Sequence, residues 1–164
     1  MNPAGKPKFI LTENLNKLAK WLRILGYDAA LFKAISFSAL IRTAINDDRI
    51  VLTRSRKQAD SNYHFPRRLI RSDDHLEQLK ELQDLIVFDR SAIFSRCSLC
   101  NRILFEIDKE KIKNLVPEYV YQNWNEFRIC RKCGKIYWTG SHFDNIIRFL
   151  ETVLLTEQSE QEAK

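Results

Sequence analysis

The sequence predicts a mixed α/β protein, a small parallel-sheet domain followed by a metal ribbon and a C-terminal helix. Short apolar runs alternate with amphipathic stretches of helical period through the first half of the chain. The four cysteines then fall into two pairs, Cys97-x2-Cys100 and Cys130-x2-Cys133, with 29 residues between them.

Lys8–Leu11 is apolar and precedes a polar turn, so it is predicted as a buried strand. Asn14 is placed to cap the helix that follows. Leu15, Leu18, Ala19, Leu22 and Leu25 recur at helical spacing, and Gly26 stops the run. The other face carries Asn16, Lys17, Lys20 and Arg23. Tyr27–Phe32 is predicted as a second strand. Ser38–Asn46 is predicted as a second helix, with Ala39, Leu40, Thr43 and Ala44 inward. Arg49–Thr53 is a buried strand and Arg68–Arg71 a shorter one. Asp73 or Asp74 then caps a helix over His75–Leu85, with Leu76, Leu79 and Leu82 or Gln83 on its inner face. This order of elements predicts a parallel sheet. In such sheets the working site lies outside the carboxyl ends of the strands. Those ends are Leu11–Thr12, Thr53–Ser55 and Arg71–Asp73.

A second module is expected from Arg96. Its strand candidates are Ile103–Ile107, Phe127–Cys130 and Ile136–Trp138, with a helical patch at Lys109–Asn114. Ser141 is placed to cap a final helix, Phe143–Leu155. The polar tail, residues 156–164, is expected to be disordered. The organisation expected is therefore 1–95, 96–155 and a tail. Two Cys-x2-Cys pairs in a chain with no other cysteine suit one tetrahedral zinc ion. Four thiolates fill the shell and leave no place for a catalytic water, so such a zinc is structural. Two disulfides or four buried thiols are the alternatives.

No apolar run approaches the length of a membrane span, and the first residues lack the apolar segment of a secretion signal. Reduced, metal-binding cysteines then suit a cytoplasmic protein. The formal net charge is +6. It is concentrated in the first 95 residues, with 16 Lys and Arg against 11 Asp and Glu. A basic domain suits a polyanionic partner such as nucleic acid. Lys17, Lys20 and Arg23 on one helix, with Arg54, Arg56 and Lys57 after a strand, are the candidate phosphate contacts. The bland reading is a solvated helix face and an exposed loop. Tyr137 and Trp138, beside the second cysteine pair, are expected to dock the ribbon onto the first domain or to stack on bases. Trp21 is expected in packing between the modules.

Three stretches carry a resemblance: Phe9–Asp28 with its Leu-Ala-Lys-Trp-Leu-Arg-Ile-Leu-Gly-Tyr-Asp run, Arg49–Arg54, and the cysteine pairs ending in Tyr137-Trp-Thr-Gly-Ser-His142. Over Phe9–Leu150 the chain resembles the Mut7-C ribonuclease domain, a PIN-like nuclease fold followed by a zinc ribbon. The resemblance implies RNA as partner and metal-dependent RNA cleavage. Carboxylates at the strand ends would hold Mg²⁺ or Mn²⁺, which activates water and stabilises the phosphate.

The chain departs from that pattern at three places. Thr12, Phe37 and Ser55 stand where the resemblance implies aspartates. Neutral hydroxyls ligate Mg²⁺ weakly and a phenyl ring not at all. The first expectation is therefore a catalytically impaired, degenerate domain that binds RNA or a ribonucleoprotein without cutting it. The second is an active nuclease with a relocated acid set drawn from Glu13, Asp28 and Asp73 or Asp74. The third is an interaction module whose altered face, around Thr12, Phe37 and Ser55, meets a protein.

Overall fold

The computed structural model describes residues 5–33 and 36–155, so the tail expected to be disordered lies outside the described residues. Four strands, β1 (Lys8–Thr12), β2 (Ala29–Phe32), β3 (Arg49–Thr53) and β4 (Arg67–Leu69), form one sheet in the order β2-β1-β3-β4. All neighbouring pairs are parallel, with Leu11 opposite both Leu31 and Leu52. The expected strands at 27–32 and 68–71 are each shifted or shortened, because pairing with β1 and β3 sets their ends.

Alternation along the strands gives the sheet two apolar faces. Phe9, Leu11 and Leu52 join one core with Leu18, Leu22 and Leu79. Ile10 and Val51 join the other with Leu40 and Ala44. Helix α1 (Asn16–Ile24) supplies the first face and α2 (Phe37–Asn46) the second. Burying both faces is what a parallel sheet requires. The chain moves from β1 to β2 on one side and then to β3 on the other. The topological switch therefore lies between the carboxyl ends of β1 and β3, at Thr12 and Thr53–Ser55.

The helix starts differ from expectation in instructive ways. Asn14 does not cap α1. A 3₁₀ turn over Glu13–Leu15 intervenes, and Asn14 instead accepts a hydrogen bond from the Thr12 hydroxyl at 2.6 Å. Ser36 caps α2 by accepting from the Ala39 N–H. Ser55 caps a one-turn helix, α3 (Arg56–Ala59), which the sequence reading missed. Of the two aspartates, Asp74 caps α4 (His75–Lys80), accepting from the N–H groups of Leu76 and Glu77. Helix α4 ends at Lys80 rather than Leu85. The chain continues in turns that still bury Leu82 and Ile86.

The second module has an antiparallel sheet of β5 (Phe105–Glu106), β6 (Phe127–Ile129) and β7 (Ile136–Trp138), in that order. A 3₁₀ turn at Lys109–Ile112 and a short helix, α5 (Glu118–Asn123), fill the insertion between the cysteine pairs. Ile112, Val120 and Phe127 form its small core, with Trp124 and Trp138 packed against it. Helix α6 (Ser141–Leu155) then returns to the first module. Ile147, Leu150, Val153 and Leu154 are buried in the same core as Phe9 and Leu79.

Candidate metal centre and basic surfaces

Each cysteine pair sits on the same kind of tight turn. The residue after the second cysteine has a left-handed backbone in both, Asn101 (φ 60°) and Gly134 (φ 73°). The Asn101 N–H donates to the Cys97 carbonyl and the Gly134 N–H to that of Cys130. The two turns face one another, and all four sulfurs lie within 4.8 Å of each other. Cys97 and Cys133 Sγ are 3.7 Å apart. A tetrahedral metal with thiolate bonds near 2.3 Å needs sulfur–sulfur edges of about 3.8 Å. The four cysteines are thus positioned to hold one metal ion, and the donor set leaves no open position.

The acid–base chemistry of the cluster agrees. Burial pushes the Cys97 thiol up, but hydrogen bonds from the Tyr137 hydroxyl and from backbone N–H groups bring it down to about 7. Cys100 is pushed up to about 12 by its contact with Cys133, by burial and by the Cys97 charge. Burial pushes Cys130 up as well. Four crowded thiols ionise together only when a cation takes up their charge. Among the described residues, this is the one group of three or more His, Cys, Asp or Glu side chains placed to share an ion.

The carboxyl edge of the parallel sheet is built differently. Thr53 is buried and its hydroxyl donates to Gln58 Oε1 at 2.6 Å. Thr12 is held to Asn14, and Ser55 caps α3. Phe37, at the first residue of α2, packs edge-on against Tyr63 and Phe65, with ring centroids 6.2 and 6.0 Å away. The Arg67 guanidinium covers Phe65 at 4.8 Å.

The three candidate acids are dispersed. Glu13 is exposed in the 3₁₀ turn after β1. Asp73 is exposed and ion-paired with Arg54. Asp28 precedes β2, so it lies at the amino edge of the sheet, opposite the switch point. There its carboxylate accepts from Arg49 at 2.6 Å and from Asn101 Nδ2 at 2.7 Å, with Arg96 at 3.7 Å. Burial would raise its pKa, but these partners hold it below the usual carboxylate value. Among the described residues, no carboxylates at the carboxyl edge converge on one point as Mg²⁺ or Mn²⁺ would require.

The basic candidates also part company. Lys17 and Lys20 are exposed on α1, and Arg56 and Lys57 on α3. Arg54 is tied to Asp73. Arg23 does not belong to either surface, being 4% exposed. Its Nε donates to the Ala29 carbonyl at 2.8 Å, and Nη1 to the carbonyls of Ser98 and Leu99 at 3.2 and 2.9 Å. A spacing of three residues falls short of a full helical turn by about 60° each time. Two such steps carry Arg23 from the Lys17 side to the buried side beside Ala19. The guanidinium there clasps α1, β2 and the first cysteine turn.

Tyr137 docks within the ribbon. Its hydroxyl accepts from the Ser98 N–H at 3.1 Å and donates to Cys97 Sγ at 3.2 Å, and its ring lies 5.9 Å from that of Phe94. Trp21 packs between the modules, stacked on His75 at 6.3 Å and tilted against Phe149 of α6 at 5.5 Å. Between α1, α6 and β7 runs a cleft of about 610 Å³, which Lys17, Lys20 and Trp21 enter from one side and Lys135 and Trp138 from the other. Nothing in the sequence joins these segments. The one visible trace is the stripe Lys17, Lys20, Trp21 and Ile24, whose i, i+3, i+4, i+7 spacing marks a single helix face.

Fold and site together define a small parallel α/β domain carrying a four-cysteine ribbon. The family model described as the Mut7-C RNAse domain matches residues 7–150, and the chain belongs to that family. No curated protein and no solved structure matches the chain. No helix among the described residues is long and apolar enough to cross a membrane.

Proposed function

We propose that this protein is a degenerate Mut7-C domain that binds RNA, alone or in a ribonucleoprotein, without cutting it. The observation that carries this reading is the carboxyl edge at the switch point. There the Thr12 hydroxyl is bonded to Asn14, Ser55 caps α3 and the Phe37 ring packs on Phe65, at the positions where the resemblance implies metal-binding acids. The family supplies RNA as the partner class. The four cysteines hold a structural Zn²⁺, because an all-thiolate tetrahedron suits that ion. The exposed lysines and the charge of +6 suit contacts to phosphates.

The relocated-acid reading has less support. Asp28 lies at the other end of the sheet, Asp73 is ion-paired with Arg54, and Asp74 is engaged as the cap of α4. The deciding experiment incubates metal-replete protein with a labelled single-stranded RNA in Mg²⁺ or Mn²⁺, with EDTA as control. Retention of intact RNA, with affinity that falls as salt rises, is the expected result. Divalent-dependent cleavage that is lost in Glu13→Ala would establish an active nuclease. Absence of any RNA binding would remove the RNA reading altogether.

A further inference from the structure

The cleft between the modules differs from the rest of the surface in its chemistry. Among the described residues its lining includes three lysines and His75 but no aspartate or glutamate. Lys17, Lys20 and Lys135 form no ion pair among the described residues. Lys135 lies over the Tyr137 ring at 5.3 Å. The nearby Asp74 is already engaged as the cap of α4. The walls are aromatic, and two of the chain's three tryptophans, Trp21 and Trp138, line the space. A second cleft, of about 560 Å³ on the other side of Trp138, makes the contrast. It mixes Arg90, Lys109 and Arg128 with Glu106, Asp108 and Glu126, so its charge selects for nothing.

We propose that this interdomain cleft is where the protein holds RNA. An unpaired base lies against the aromatic walls while flanking phosphates meet Lys17 and Lys20 of α1 and Lys135 of the ribbon. The inference rests on the RNA-binding reading above and moves the contact surface away from the carboxyl edge of the sheet. Unpaired bases expose faces that aromatic side chains can stack on, and a strand supplies the anionic charge that the lysines lack. About 610 Å³ is within the range of pockets that enclose small ligands. Lysines on both walls let one strand be gripped from two sides. A duplex keeps its base faces stacked inside and is excluded from the aromatic walls.

The test uses the full chain with its metal bound. A labelled single-stranded RNA oligonucleotide, the same sequence as a blunt duplex, and a mononucleotide competitor are the probes. Tryptophan emission and fluorescence anisotropy are the readouts. The single strand should quench tryptophan emission on binding, and the duplex should bind about tenfold more weakly. Lys20→Glu with Lys135→Glu should lower affinity about tenfold or more and flatten its salt dependence. Arg56→Glu with Lys57→Glu should change affinity far less. Metal content and circular dichroism check each variant, and the milder pair Lys20→Gln and Lys135→Gln is used if the charge reversals do not fold.

If the α3 reversals abolish binding and the cleft reversals do not, RNA binding stands and the cleft assignment falls. A mononucleotide that competes as well as the strand overturns the strand in favour of a free nucleotide. Wild-type protein that binds no RNA in any arm removes the underlying RNA reading.

Discussion

Asn101 Nδ2 donates to the Asp28 carboxylate at 2.7 Å, while Asn101 Oδ1 accepts from the Ala29 N–H at 3.0 Å. One side chain of the first cysteine turn thus pairs with both the carboxylate and the backbone that open β2. Arg49 and Arg96 complete the cluster around Asp28. The ribbon is joined to the parallel sheet by partly buried polar groups as well as by apolar contact. Polar groups of this kind specify a single docking geometry, because any other leaves them unbonded.

Asp28→Ala is expected to destabilise the protein by about 3 kcal/mol, since it removes the carboxylate that Arg49 and Asn101 share and leaves Arg49 only the Phe9 carbonyl and Asp47. Asp28→Asn should cost less. The carboxylate's pKa is lowered in the folded state, so its contribution is present above the ordinary value of 3.8 and is lost as pH falls below it. Denaturant unfolding at several pH values checks this. The gap between wild type and Asp28→Ala should narrow toward low pH, and a constant gap would mean the cluster is not ionic.

Replacing Arg23 should be severe for a residue that looks like a surface charge on paper. Arg23→Ala removes the donor to three carbonyls, on Ala29, Ser98 and Leu99, and a loss of about 2–4 kcal/mol is expected. Arg23→Lys keeps the charge but not the fork, and should recover only part of it. Equilibrium unfolding measures both, and a neutral Arg23→Ala would refute the clasp.

Metal removal should reach beyond the ribbon. Chelation, or Cys130→Ser, should loosen both cysteine turns, the first of which is bonded to Tyr137 and, through Arg23, to α1. A single, lower melting transition for the whole chain is expected, together with loss of bound metal by elemental analysis. Metal-free protein with an unchanged melting temperature would show that the site is not structural.

Gly26→Ala is expected to destabilise by more than about 1 kcal/mol. The residue has φ 88°, and a Cβ there would stand 2.5 Å from the Ala92 carbonyl oxygen, which is backbone and has little freedom to yield. Thermal melting reads the effect. Gly134 is also left-handed but opens onto empty space, so Gly134→Ala should be the milder of the two.

The strands were legible because burial on two faces leaves almost unbroken apolar runs, as in Phe9–Leu11 and Ile50–Leu52. The cysteine site was legible because spacing alone encodes its turns. Helix ends were less so. Leu82 and Leu85 continue the helical period past Lys80, yet they pack into the core from turns, a distinction that periodicity does not carry. Arg23 was misplaced because charge suggests solvent, whereas a guanidinium can be fully bonded to carbonyls inside. The cleft was out of reach, because it is assembled from residues 17–24, 75 and 135–146, which meet only when the chain is folded.

The return of α6 to the sheet has a consequence for biosynthesis. Ile147, Leu150, Val153 and Leu154 close a core whose other members were made long before, beginning at Phe9. A nascent chain with its parallel sheet and ribbon already outside the ribosome still exposes that apolar face. Closure of this core therefore waits on α6, the last of its members to emerge from the ribosome, rather than on formation of the sheet.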